Sequence, residues 1–112
     1  MASEMTNPIN TRILLVDDEK ETLDLISEYL CDKGYDLTTC INAEQAVEMV
    51  EKNGFQIAIV DLHLPGMTGS ELLKIIKRIR SHIQVIVITG YGTIRDAVEC
   101  MKLGASDFIT KP

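Results

Sequence analysis

The residues best equipped for chemistry stand directly after short apolar runs. Asp17-Asp18-Glu19 follows Ile13-Leu14-Leu15-Val16, and Asp61 follows Ile57-Ala58-Ile59-Val60. Thr89 follows Val85-Ile86-Val87-Ile88, and Lys111 follows Phe108-Ile109-Thr110. If these runs are strands of one open parallel sheet, the residues share the rim beyond the carboxyl ends, where such sheets bind ligands. Two carboxylates about 4 Å apart repel by roughly 4 kcal/mol at a surface-like effective dielectric. Three in one cleft therefore require a proton or a cation. Mg²⁺ meets that need with oxygen ligands, and it typically also coordinates phosphate. Together with a Lys and a Thr hydroxyl it can hold the equatorial oxygens of a phosphoryl group in flight. An Asp carboxylate is a competent nucleophile for such a group, giving an aspartyl-phosphate.

Each residue alone has a plainer role. Asp17 or Asp18 would serve as a helix cap, Asp61 as turn chemistry ahead of Pro65-Gly66, Thr89 as a strand end and Lys111 as a solvated charge. The conjunction at four strand ends is what points to a site.

The elements that must position these residues follow from periodicity. Three continuous apolar runs read as strands buried on both faces, and 36–40 and 108–110 as two weaker ones. Between them apolar residues recur at helical spacing: Leu23, Ile26, Leu30; Ala43, Ala46, Val47, Val50; Leu72, Ile75, Ile76, Ile79; and Ile94, Ala97, Val98, Met101. Gly34, Gly54 and Gly104 end three of these helices, and Asn42 with Gln45 resembles a capping box. Short connections force parallel pairing with right-handed crossovers on both faces of the sheet. The chain stops at Pro112, just after the last strand, whereas a sheet of this class carries one more helix. The expectation is therefore a single domain over 11–112 whose final helix is missing, preceded by a flexible polar tail over 1–10.

Composition limits the function classes. The 112 residues are 46% hydrophobic, enough for a core without disulfides. Asp and Glu number 17 against 11 Lys and Arg, a net charge of −6, which disfavours direct binding of nucleic acid or of an anionic membrane. The three cysteines have no metal-type spacing, so reduced thiols in the cytoplasm are expected. No apolar run has membrane-spanning length, and the N-terminus lacks a signal core.

Taken in order, Ile13–Glu19, Ile59-Val60-Asp61-Leu62-His63-Leu64-Pro65-Gly66-Met67-Thr68-Gly69, Val87-Ile88-Thr89-Gly90-Tyr91-Gly92 and Gly104–Pro112 resemble the receiver domain of two-component response regulators. The resemblance implies a flavodoxin-like, doubly wound five-stranded parallel sheet of order 2-1-3-4-5. It makes Asp61 the phosphoacceptor, served by a sensor histidine kinase in a phosphorelay. Asp17 and Asp18 would bind Mg²⁺ with Asp61, Asp18 more directly than Asp17, and the backbone carbonyl of His63 would complete the protein ligands. Lys111 would pair with the phosphoryl group, and its peptide bond to Pro112 would be cis. Thr89 and Phe108 would be the switch residues acting on a downstream effector domain or protein. With Phe at 108 any switching works through ring packing, because there is no phenol hydroxyl. The stretch from Thr89 to Lys102 also looks like receivers attached to σ54-type activators, and like those of hybrid sensor kinases.

Two departures bear on this. His63 stands two residues after Asp61, where a phosphohydrolase using an aspartyl-phosphate would want a second acid, and no cap domain is present. A pure interaction module would not need the full set of acids, Thr and Lys. The face left by the missing helix is expected to drive dimerisation, helix exchange or poor stability. The chain itself is expected to be a signalling switch that promotes its own phosphorylation and dephosphorylation, and not an enzyme with a separate substrate.

Overall fold

The computed structural model describes residues 11–111; the tail expected over 1–10 and the Lys111–Pro112 peptide expected to be cis lie outside the described residues. Strands β1 (Arg12–Val16), β2 (Asp36–Cys40), β3 (Ile57–Asp61), β4 (Gln84–Thr89) and β5 (Asp107–Thr110) alternate with helices α1 (Lys20–Asp32), α2 (Ala43–Lys52), α3 (Gly69–Ile79) and α4 (Ile94–Lys102). The strands form one parallel sheet in the order β2-β1-β3-β4-β5. This is the expected flavodoxin-like topology with four helices. The order reverses between β1 and β3, so right-handed crossovers put α1 on one face and α2, α3 and α4 on the other.

Helix starts are set locally. Asn42 accepts the Gln45 N–H at 2.8 Å and caps α2, while the Gln45 side chain reaches back to the Ile41 N–H. Thr68 and Thr93 begin α3 and α4 with reciprocal capping boxes to Glu71 and Asp96. Each satisfies two otherwise orphaned donors at a helix end.

The two faces are covered unequally. Leu14, Val16, Ala58, Val60, Val85 and Val87 point one way and are fully buried under Ala46, Val50, Leu72, Leu73, Ile76 and Cys100. The opposite side chains of β3 and β4, Ile57, Ile59 and Ile86, are only half-buried, and Ile109 of β5 is exposed. The continuous apolar runs thus hold as strands, but burial on both faces is complete only along Ile13–Val16 of β1 and at the carboxyl ends of β3 and β4, over Val60-Asp61 and Val87-Ile88-Thr89. Among the described residues α1 alone covers that second face, and every α1 side chain is half-buried or exposed.

The α4 stripe also differs from the expected core face. Ile94 is 85% exposed, and Val98 and Met101 are about half exposed. α4 turns Cys100 inward instead, because it lies over β5, a short edge strand with little sheet to cover. Among the described residues no helix is long and apolar enough to cross a membrane.

One close approach fixes the rim. Gly69, the first residue of α3, donates its N–H to the Leu62 carbonyl at 2.7 Å. A Cβ at Gly69 would lie 2.4 Å from the Asp61 carbonyl oxygen and 2.7 Å from the Leu62 Cα. Both are backbone atoms, so relief requires moving the end of β3. Gly69→Ala is expected to cost about 2–3 kcal/mol in urea unfolding, the range of an overpacked core site. An unchanged midpoint would show that the end of β3 yields freely.

Candidate functional site

Asp17 and Asp61 end neighbouring strands β1 and β3, and both are buried, with Asp17 at 0% and Asp61 at 3% exposure. Asp17 is tied down by an Asx turn in which its Oδ1 accepts the Glu19 N–H at 2.9 Å. Glu19, the N-cap of α1, makes no side-chain cap bond, so neither Asp17 nor Asp18 serves as that cap. Asp61 Oδ1 accepts the His63 N–H at 3.2 Å. Lys111 reaches the site because its N–H donates to the Thr89 carbonyl at 2.7 Å, carrying the chain past the end of β4.

The Lys111 ammonium stands among three carboxylates. Its Nζ lies 2.9 Å from Asp17 Oδ2, 3.3 Å from Asp61 Oδ2 and 2.5 Å from Glu19 Oε1. The bonds to Glu19 and Asp61 are directed hydrogen bonds. The contact with Asp17 is close but poorly directed, and Asp17 Oδ2 has no hydrogen-bond partner among the described residues. Burial works to lower the Lys111 pKa. The hydrogen bond to Glu19, the close contact with Asp17 and the charges of Asp61 and Asp17 outweigh it, so the ammonium is held more firmly than usual. Burial pushes the Asp61 carboxyl up, and the charge of Asp17 adds to this; the His63 N–H and Lys111 oppose it only in part.

Oxygens of Asp17, Glu19 and Asp61 lie within 4.8 Å of one another. Against three carboxylates there is one ammonium, and one buried carboxylate oxygen lacks a directed partner. An all-oxygen donor set with surplus negative charge suits a hard divalent cation, so these residues fit the Mg²⁺ that the sequence implies.

Asp18 is exposed and lies outside that trio, but it borders the same cleft of about 300 Å³ as Asp61, His63 and Tyr91. Thr89 is fully buried, and its hydroxyl is turned away to the Tyr91 carbonyl, donating at 2.7 Å. Phe108 is half-buried against the core. The structure thus brings Asp17, Asp61 and Lys111 into contact, with Asp18 and Thr89 at the margins. The sequence reading gave no role to Glu19, Tyr91 or Gly92. Glu19 was signalled by its place in the acidic run. Tyr91 and Gly92 stood only as part of the matching stretch from Val87 to Gly92, since their contacts arise when the 90–92 loop meets His63 and β5. A second cleft of about 320 Å³ shares Glu19, Gly90 and Lys111 but is walled by Leu25 and Ile26 of α1. Asp61, the buried nucleophile candidate, borders the first cleft and not this one.

The family model of the response regulator receiver domain matches residues 13–112. The response regulator FleR of Pseudomonas aeruginosa is 34% identical over 101 residues, which span 90% of this chain and 21% of FleR. Sporulation initiation phosphotransferase F of Bacillus subtilis is 36% identical over 104 residues, 93% of this chain and 84% of that protein. The chain spans only 21–45% of the length of FleR, the NtrX-like regulators and VanR. Among solved structures, a Burkholderia pseudomallei response regulator with a phosphorylated aspartic acid, calcium ion and citrate superposes with a TM-score of 0.87 at 27% identity, covering 92% of this chain and 61% of that one. The Thermotoga maritima response regulator TrrA in complex with Mg²⁺-BeF gives 0.82 at 28% identity, covering 91% and 87%.

The raised Asp61 pKa has a consequence for stability. A carboxyl held above its unfolded value favours the folded chain in its neutral form. That contribution is complete below the unfolded value and is lost as pH rises through the folded one. At pH 7, Asp61→Asn is therefore expected to melt at a higher temperature than the parent. The advantage should shrink as pH falls toward the ordinary carboxyl value of 3.8, and Mg²⁺ at neutral pH should narrow it by stabilising the parent. Melting curves across pH check this; a variant less stable than the parent at pH 7 would contradict it.

Proposed function

The chain belongs to the response regulator receiver domains, and from that membership we propose that it accepts a phosphoryl group on Asp61 and switches an output surface in response. The carrying observation is the buried Asp61 carboxylate with the Lys111 ammonium 3.3 Å from its Oδ2 and a second buried acid, Asp17, on the same ammonium.

The donor is the phosphohistidine of a sensor histidine kinase. An Asp61 oxygen attacks phosphorus, a P–O bond forms, the P–N bond breaks, and the imidazole leaves with the electron pair. Asp17, Asp18, Asp61 and the His63 carbonyl would hold Mg²⁺, which when bound would neutralise charge on the phosphoryl oxygens. Lys111 turns from Glu19, its most exposed partner, toward a phosphoryl oxygen. Thr89 gives up its bond to the Tyr91 carbonyl and offers its hydroxyl to another oxygen. Its withdrawal opens space that the Phe108 ring takes up. The phosphoryl group shifts a balance between two states through its different contacts in each.

The surface that changes is formed by α4 and β5. Ile94, Val98 and Met101 of α4 expose apolar side chains there, a patch suited to an effector domain or protein. The net charge of −6 speaks against that effector contact being nucleic acid. Burial raises the Cys40 and Cys100 thiols, which keeps them protonated and suits a reducing cytoplasm.

Incubated with Mg²⁺ and acetyl phosphate, the chain is expected to gain the mass of one phosphoryl group, and Asp61→Asn to gain none. Equal uptake by Asp61→Asn would remove Asp61 from the role, and no uptake by the parent would remove the function.

A further inference from the structure

The loop between β4 and α4 is tied to Asp61 by a chain of contacts. Asp61 Oδ1 accepts the His63 N–H at 3.2 Å. The His63 ring stacks on the Tyr91 ring, with centroids 5.4 Å apart and planes 29° apart. The Tyr91 backbone holds the Thr89 hydroxyl from both sides: its carbonyl accepts at 2.7 Å, and its N–H donates back at 3.3 Å. Thr89 and Asp61 are both buried, so the chain of contacts starts and ends at the rim. Its aromatic members are exposed, Tyr91 at 80%. An exposed Tyr on a short loop has no packing reason to hold one place other than the ring it meets.

The loop also touches the switch aromatic. A Cβ at Gly92 would fall 2.8 Å from Phe108 Cζ and 2.9 Å from Thr89 Cγ2. Glycine thus lets the loop lie against both side chains that the switching reading moves. Thr89 cannot turn its hydroxyl toward Asp61 without leaving the Tyr91 backbone, and Tyr91 is held where it is by His63.

We propose that the His63–Tyr91 stack is a latch that holds the 90–92 loop, and through it the Thr89 hydroxyl, in the unphosphorylated arrangement. The inference rests on the receiver function proposed above. His63 and Tyr91 are positioning residues: they act through Thr89 and set how strongly the chain resists the phosphorylated state. A contact present in only one of two states biases the balance by its full worth, and an aromatic pair at an exposed site is worth about a twofold to tenfold shift.

The test uses Mg²⁺ with beryllofluoride as a phosphoryl analogue, on the whole chain, with NMR as readout. His63→Ala keeps the backbone N–H and carbonyl, and both substitutions are at exposed positions, so folding is little affected. His63→Ala and Tyr91→Ala are each expected to bind the analogue about twofold to tenfold tighter than the parent. The double variant should bind no tighter than either single one, because the same contact is lost once. Tyr91→Phe, which keeps the ring, should match the parent. In the parent the His63 ring protons should be shifted by the Tyr91 ring before the analogue is added and lose that shift in step with binding. If the parent binds the analogue while the stack persists, or the variants bind equally or more weakly, the latch is overturned and the receiver function stands. If the parent does not bind the analogue, the receiver function fails and the latch fails with it.

Discussion

Asp17 and Asp61 are buried side by side at the ends of adjacent strands, and one ammonium, that of Lys111, stands between them. Taking two carboxylates out of water is costly unless their charges are met. Lys111 meets only part of that charge, since it also serves Glu19 and leaves one oxygen of Asp17 without a directed bond. The rim thus keeps surplus negative charge that its one ammonium does not meet. The raised carboxyl of Asp61 and the firmly held proton of Lys111 are two expressions of this imbalance.

The fold produces the rim through its connectivity. Strand order reverses between β1 and β3, so the loops after these strands part and leave a cleft between Asp17 and Asp61. Leu62 N–H bonds to the Ile88 carbonyl and Gly69 N–H to the Leu62 carbonyl, which locks the exit of β3 under the start of α3. Lys111 comes from the far edge strand, so β4 and β5 must pair in register for the ammonium to arrive. The rim is therefore a report on the whole sheet. The unequal cover of its faces follows the same topology: among the described residues α2, α3 and α4 share one face and α1 lies on the other, where Ile57, Ile59 and Ile86 stay half-buried.

Much of this was legible in the sequence because it depends on local pattern. Three apolar runs located β1, β3 and β4, weaker patterns over 36–40 and 108–110 located β2 and β5, the 3.6-residue spacing located the four helices, and the acids, Thr and Lys at strand ends marked the rim. Burial was less legible. The run Ile57–Val60 does not say which face finds a helix, and the stripe from Ile94 to Met101 does not say that β5 is too short an edge to cover it. The split between Asp17, buried in the trio, and Asp18, exposed at its edge, turns on an Asx turn that either acid could have made. The His63–Tyr91 stack joins residues from two loops, and no periodicity links them. Gly69 and Gly92 were visible as glycines, but the backbone and ring that demand them belong to other strands.

The central claim is that Asp61 is the group on which this imbalance is resolved. A crystal structure of the chain grown with Mg²⁺ and beryllofluoride tests it most directly. The expected result is the fluoride adduct on an Asp61 carboxylate oxygen, a metal ion against the neighbouring acids, and Lys111 Nζ moved from Glu19 onto the adduct. An adduct on another carboxylate, or a bound ion with Lys111 still on Glu19 and Asp61 bare, would contradict the account.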